Sequence, residues 1–98
     1  MRVELLQGAE ADLLEAYVRL EERRAGLGER FYRTHDFALE RLRQHPQMAP
    51  AYLGDYRRLV LRPFGLRVFY TLTGARVMVG AILDLRQDPE AIARRLLR

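Results

Sequence analysis

Three strand-length runs follow one another almost without a break in residues 56–84, "YRRLVLR", "LRVFYTL" and "RVMVGAILD". Pro63-Phe64 and Thr73-Gly74 supply the turns. Links this short can only join antiparallel neighbours, so the pattern predicts a meander over 56–62, 66–72 and 76–84. "VMVGAIL" is apolar on both faces and reads as a central strand.

What precedes the meander is helical. After a short strand, "RVELL" (2–6), the stretch "GAEADLLEAYVRLEERRAG" reads as a helix with Gly8 as its cap. Leu13, Tyr17 and Leu20 form its apolar stripe, with Leu14 and Val18 beside them. Gly26 and Gly28 break the chain, and a second helix runs from Glu29 to Gln44 with Phe31, Ala38 and Leu42 on one face. His45-Pro46 ends it, and 46–56 reads as loop. Asp88, Pro89 and Glu90 open a last helix, with Ile92, Leu96 and Leu97 facing inward. The order β-α-α-β-β-β-α is an α+β fold: an N-terminal strand and a helical hairpin packed on a mainly antiparallel sheet, one domain over 1–98.

Composition narrows the chemistry. Without cysteine there are no disulfides and no thiol or cysteine–zinc chemistry. All 17 basic residues are arginine, so no lysine base or Schiff base exists and any cationic site uses guanidinium forks. The net charge of +4 favours an acidic protein or nucleic acid as partner. No apolar run approaches the roughly 20 residues of a membrane span, and the N-terminus turns amphipathic too early for a secretory signal, so a cytoplasmic protein without membrane contact is expected. The two histidines join no metal-ligand cluster: His35 reads as a hydrogen-bonded core side chain and His45 as a helix end. No metal or cofactor is expected. The run "ERRAGLGER" reads as a solvated helical turn.

The arginines of the meander can be placed by register, since a one-residue slip exchanges faces. Closing the first hairpin at Pro63-Phe64 opposes Leu61 to Leu66, Leu59 to Val68 and Val60 to Arg67. One face then holds leucine and valine, and the other holds Arg58, Arg62 and Arg67. Arg57 falls on the core side. Closing the second hairpin at Thr73-Gly74 puts Val77, Val79, Ala81 and Leu83 on the leucine face and Met78, Gly80, Ile82 and Asp84 on the arginine face. Gly80 would then oppose Arg67 and leave room for a ligand. Asp84 would emerge at the same end as Arg62 and pair with Arg62 or Arg67, with Arg86 just beyond.

The stretches "AEADLLEAYVRLEERRAGLGERF", "ALERLRQHP", "YRRLVLRPFGLRVFY" and "VMVGAILDLRQDP" together resemble the RelE/ParE superfamily of type II toxins, the plasmid-stabilisation proteins of bacterial toxin–antitoxin operons. The resemblance covers nearly the whole chain and rests on the combined pattern. It implies a growth-inhibiting toxin neutralised by a cognate antitoxin that is acidic and partly disordered when free, with a homodimer or a toxin–antitoxin hetero-oligomer as compatible assemblies. ParE-like members poison DNA gyrase; RelE-like members cut mRNA on the ribosome. A third alternative is a non-toxic member that only binds its antitoxin and aids operon autoregulation. If the chain is a nuclease, Arg67, Arg86, Asp84 and Arg58 are the candidate catalytic residues. Arg67 and Arg86 match family arginines, Arg58 could occupy a lysine position, Asp84 stands where many members have histidine, and Ile92 stands near the place of a tyrosine. Arg58, Arg62, Arg67 and Arg86 are the candidate target or phosphate contacts, and Leu14, Val18 and Phe37 the candidate antitoxin contacts.

Overall fold

The computed structural model describes residues 1–84 and 86–97. Its elements are β1 (Arg2–Leu5), α1 (Gln7–Arg23), α2 (Leu27–Gln44), β2 (Ala51–Leu53), β3 (Tyr56–Leu61), β4 (Leu66–Thr73), β5 (Arg76–Asp84) and α3 (Pro89–Leu96). The α+β order is the expected one with a strand added. β2 lies in the stretch read as loop, and its three residues are too few to carry an alternating pattern. The sheet order is β1-β5-β4-β3-β2, with β1 parallel to β5 and the other pairs antiparallel. β5 has a partner on each side, as its two apolar faces require.

The helical hairpin covers one face of the sheet. Ala9, Ala16 and Leu20 of α1 and Phe31, Ala38 and Leu42 of α2 pack on Leu61, Leu66, Val68, Tyr70, Val77, Val79 and Ile82. α1 begins at Gln7 with Leu6 in the cap position, so Gly8 is not its cap. Gly28 lets the two helices close on each other. A Cβ there would stand 2.7 Å from the Tyr17 carbonyl oxygen, which backbone cannot easily yield. The Glu21 carboxylate fixes the same turn by accepting from the Gly26 and Gly28 amides at 2.8 and 3.0 Å.

The first meander register is the expected one, Leu61 opposite Leu66 and Val60 opposite Arg67. The second is not. The turn falls on Gly74-Ala75, which pairs Thr73 with Arg76, a shift of two residues that keeps the faces. A bulge between Phe69 and Tyr70 then pairs Tyr70 with Val79 but Phe69 with Ala81. The extra residue is Gly80, and it exchanges the faces of everything after it. Ile82 and Asp84 therefore point to the helical hairpin, while Ala81 and Leu83 join the arginine side. Arg67 opposes Leu83 rather than Gly80. The room above Gly80 is filled by Tyr56, whose Oη lies 2.7 Å from where a Cβ would stand.

The bulge gives α3 its seat. Ile92 and Leu96 bury against Phe69, Ala81 and Leu83 on the face opposite the hairpin, flanked by Tyr52, Leu53 and Tyr56. Asp88 caps α3 by accepting from the Glu90 amide at 3.1 Å, with Pro89 in the first turn. Leu97, expected to face inward, is 63% exposed, because the helix ends at Leu96.

Candidate functional site

β3 and β4 set Arg58, Arg62 and Arg67 on one face by strand alternation. Arg58 opposes Phe69, Arg67 opposes Val60, and Arg62 follows the last residue of β3. α3 and Tyr52 cover the half of this face near Phe69; the arginines hold the other half. Arg58 lies over the Tyr52 ring at 4.7 Å, and Tyr52 packs on Phe69 at 5.4 Å, so one guanidinium is held from below. Arg67 is half-buried, and its Nε has no hydrogen-bond partner among the described residues. Burial, with the charges of Arg58 and Arg62, pushes the Arg67 pKa below that of a free guanidinium. Among the described residues, no carboxylate lies within 4.0 Å of Arg58, Arg62 or Arg67. Three like charges without a counter-ion are unfavourable on their own, and an incoming anion relieves them.

Asp84 and Arg86 are not part of this face. Opposite Leu66, Asp84 points to the hairpin side. It accepts from the Arg86 amide at 2.8 Å and from Arg86 Nε and Nη2 at 3.3 and 3.1 Å, with Arg19 Nη2 at 3.9 Å. Its partners are thus Arg86 and Arg19 rather than Arg62 or Arg67. The hydrogen bonds from Arg86 hold its pKa below the usual aspartate value, whereas a general base works best near the operating pH. Arg57, on the core side, donates to the Ala49 and Gln47 carbonyls at 2.7 and 3.3 Å and anchors the loop before β2.

His35 is buried at 1% exposure beside Phe31 and Tyr32, but neither ring nitrogen has a hydrogen-bond partner among the described residues, contrary to expectation. Burial lowers its pKa and favours the neutral ring. His45 occupies the C-cap of α2. Among the described residues, no group of three or more acidic or histidine side chains is placed to hold a metal, and no helix is long and apolar enough to cross a membrane.

The hairpin carries a second surface. Leu14, 65% exposed, lines an apolar groove of about 360 Å³ between α1 and α2 with Leu13, Tyr17 and Tyr32, and Glu10 and Glu29 at its rim. Val18 is exposed but does not line it. Phe37, 67% exposed, belongs to a different groove of about 350 Å³ between α2 and β3, with Met48, Leu59, Arg41 and Arg62. The three candidate antitoxin contacts thus lie on separate parts of the hairpin surface. Sequence reasoning missed Tyr32 and Tyr52. Tyr32 lies outside the apolar stripe of its helix, and Tyr52 lies in a stretch with no periodic signal.

A helical hairpin on one face of a mixed five-stranded sheet is the α+β fold that the resemblance to RelE/ParE toxins implies. Residues 3–89 match the family described as "ParE toxin of type II toxin-antitoxin system, parDE", and the chain belongs to that family. A comparison with curated proteins finds no match. Among solved structures the fold is similar to a chain of "Chromosomal ParDE TA system from P. aeruginosa", with a TM-score of 0.66 and 16% identity, covering 88% of this chain and 97% of that one.

Proposed function

We propose that this ParE-family toxin acts by binding rather than by cutting, with DNA gyrase as its target and Arg58, Arg62 and Arg67 as the target contacts. The observation that carries this reading is the make-up of the arginine face. Among the described residues it holds three guanidinium groups with no carboxylate within 4.0 Å, and no imidazole stands beside them to move a proton. Asp84 lies on the opposite face, engaged by Arg86 and Arg19. Ile92, on α3, is buried against Phe69, Ala81 and Leu83 of the sheet. Such a face suits carboxylates or phosphates on a target surface and lacks the acid–base pair that strand cleavage requires.

The antitoxin occupies the apolar groove between α1 and α2 as an amphipathic helix, with Leu14 and Tyr32 as its main contacts. Its segment is disordered when free and folds on binding. The test separates target from antitoxin: Arg67→Ala and Arg58→Ala should lose growth inhibition and gyrase-linked DNA damage while still co-purifying with the antitoxin. In vivo mRNA cleavage by the wild type, in place of DNA damage, would establish the endonuclease reading instead.

A further inference from the structure

Two clefts of about 220 and 190 Å³ meet where the tip of the helical hairpin touches the β3–β4 turn, sharing Leu20, Arg23, Pro63 and Phe64. Arg19, Arg23, Arg24, Arg30 and Arg86 line them, and among the described residues Asp84 is their one carboxylate. Five arginines against one aspartate make a local charge of +4, the same as the whole chain's. Glu21, Glu22 and Glu29 belong to the same hairpin tip but do not line the clefts, so the cleft surface itself is cationic. Taken alone, "ERRAGLGER" reads as a solvated turn; folding adds Arg19 and Arg86 to it from elsewhere in the chain.

The site is built on a fixed frame. Phe64 packs edge-on against Phe31 with ring centres 5.6 Å apart, tying the β3–β4 turn to α2. Glu21, near the tip on α1, is turned to the Gly26 and Gly28 amides, and neither it nor Glu22 lines the clefts. Asp84 is taken up by Arg86 and Arg19. Arg23, Arg24 and Arg30 have no carboxylate within 4.0 Å among the described residues, and all three are exposed.

We infer that this end binds the phosphate backbone of a nucleic acid, separately from the arginine face of the sheet and independently of what that face contacts. Guanidinium forks match phosphate oxygens, and a regular polyanion needs no apolar anchor. An acidic protein segment does need one, and none of the large exposed apolar side chains of this protein lines these clefts.

The experiment measures binding of the purified chain to labelled duplex DNA of about 20 base pairs and to single-stranded RNA of about 20 nucleotides, across a salt series, with polyglutamate of similar charge as competitor. Wild type should bind at least one of them, with affinity falling steeply as salt rises; the two arms tell which nucleic acid is preferred. Arg23→Gln, Arg24→Gln and Arg30→Gln combined should weaken binding at least about tenfold and reduce the log–log salt slope by roughly two to three, near 0.7–0.9 for each phosphate no longer neutralised. Arg43→Gln with Arg94→Gln, at arginines that line neither the clefts nor the arginine face, should leave both readings near wild type. Circular dichroism checks folding. Arg24→Glu alone, at a side chain without a hydrogen bond or ion pair among the described residues, serves if the triple variant unfolds. The inference is overturned if wild type fails to bind either nucleic acid at about 50 mM salt, if the folded tip variants bind like wild type, or if polyglutamate competes as well as nucleic acid does.

Discussion

Among the described residues His35 gives up its solvent without gaining a hydrogen bond, the Asp36 carboxylate standing 3.7 Å from Nδ1, and that has a measurable consequence. Because its folded pKa lies below its ordinary 6.5, the unfolded chain binds a proton that the folded chain resists. Its contribution is therefore intact above about pH 6.5 and is lost as pH falls from there toward the folded value, with a slope of up to about 1.4 kcal/mol per pH unit. Urea unfolding at pH 7.5, 6.0 and 5.0 should show this loss, and His35→Phe should flatten it; an unchanged slope in a folded variant would remove His35 as the cause. Arg57 and Arg58 illustrate what residue-level reading resolves. Their neighbouring positions fix opposite faces, and the alternation correctly sends Arg57 to the core side and Arg58 to the arginine face. It cannot say that Arg57 would cap two loop carbonyls, because that loop is ordered only by contacts distant in sequence.

At the level of elements, β5 decides the arrangement of the sheet. Past Val79 it loses β1 as a neighbour, and the bared Ile82 amide is taken by Asp12 Oδ2 at 2.9 Å. The same carboxylate pairs with Arg95 of α3 at 2.7 and 3.1 Å. One aspartate thus joins α1, the edge of β5 and α3. Asp12→Ala should cost about 1–3 kcal/mol in denaturant unfolding and make α3 the first element cut in limited proteolysis; loss of stability without earlier cleavage there would argue against the link. Gly28→Ala should also destabilise, by about 1–3 kcal/mol, since the clash is with a helix backbone. Most of the fold was legible because helix stripes and strand alternation are local signals. The bulge was not, because alternation over 76–84 looks regular and only Tyr56, contributed by β3, reveals why the glycine stands at position 80. The face of Asp84, and with it half of the expected site, turned on that one residue.

Over the whole molecule, the apolar groove of the hairpin, the arginine face and the cationic tip occupy different regions, so a toxin can be held by its antitoxin at one while its target contacts lie at another. Leu14→Arg with Tyr32→Arg should weaken antitoxin binding at least tenfold in a titration while growth inhibition persists; equal loss of both would mean the surfaces overlap. The central claim is that the arginine face acts by binding. The most direct measurement is growth inhibition on induction of wild type, Arg67→Ala, Arg58→Ala and Asp84→Asn, each checked for folding by circular dichroism. A charge-assisted contact is worth about 1.5–3 kcal/mol, so each arginine variant should weaken target binding roughly ten- to a hundredfold and relieve inhibition. Asp84→Asn should stay toxic, having given up only part of its ion pairing with Arg86 and Arg19. Full toxicity in both folded arginine variants, or loss of toxicity in folded Asp84→Asn alone, would contradict the account.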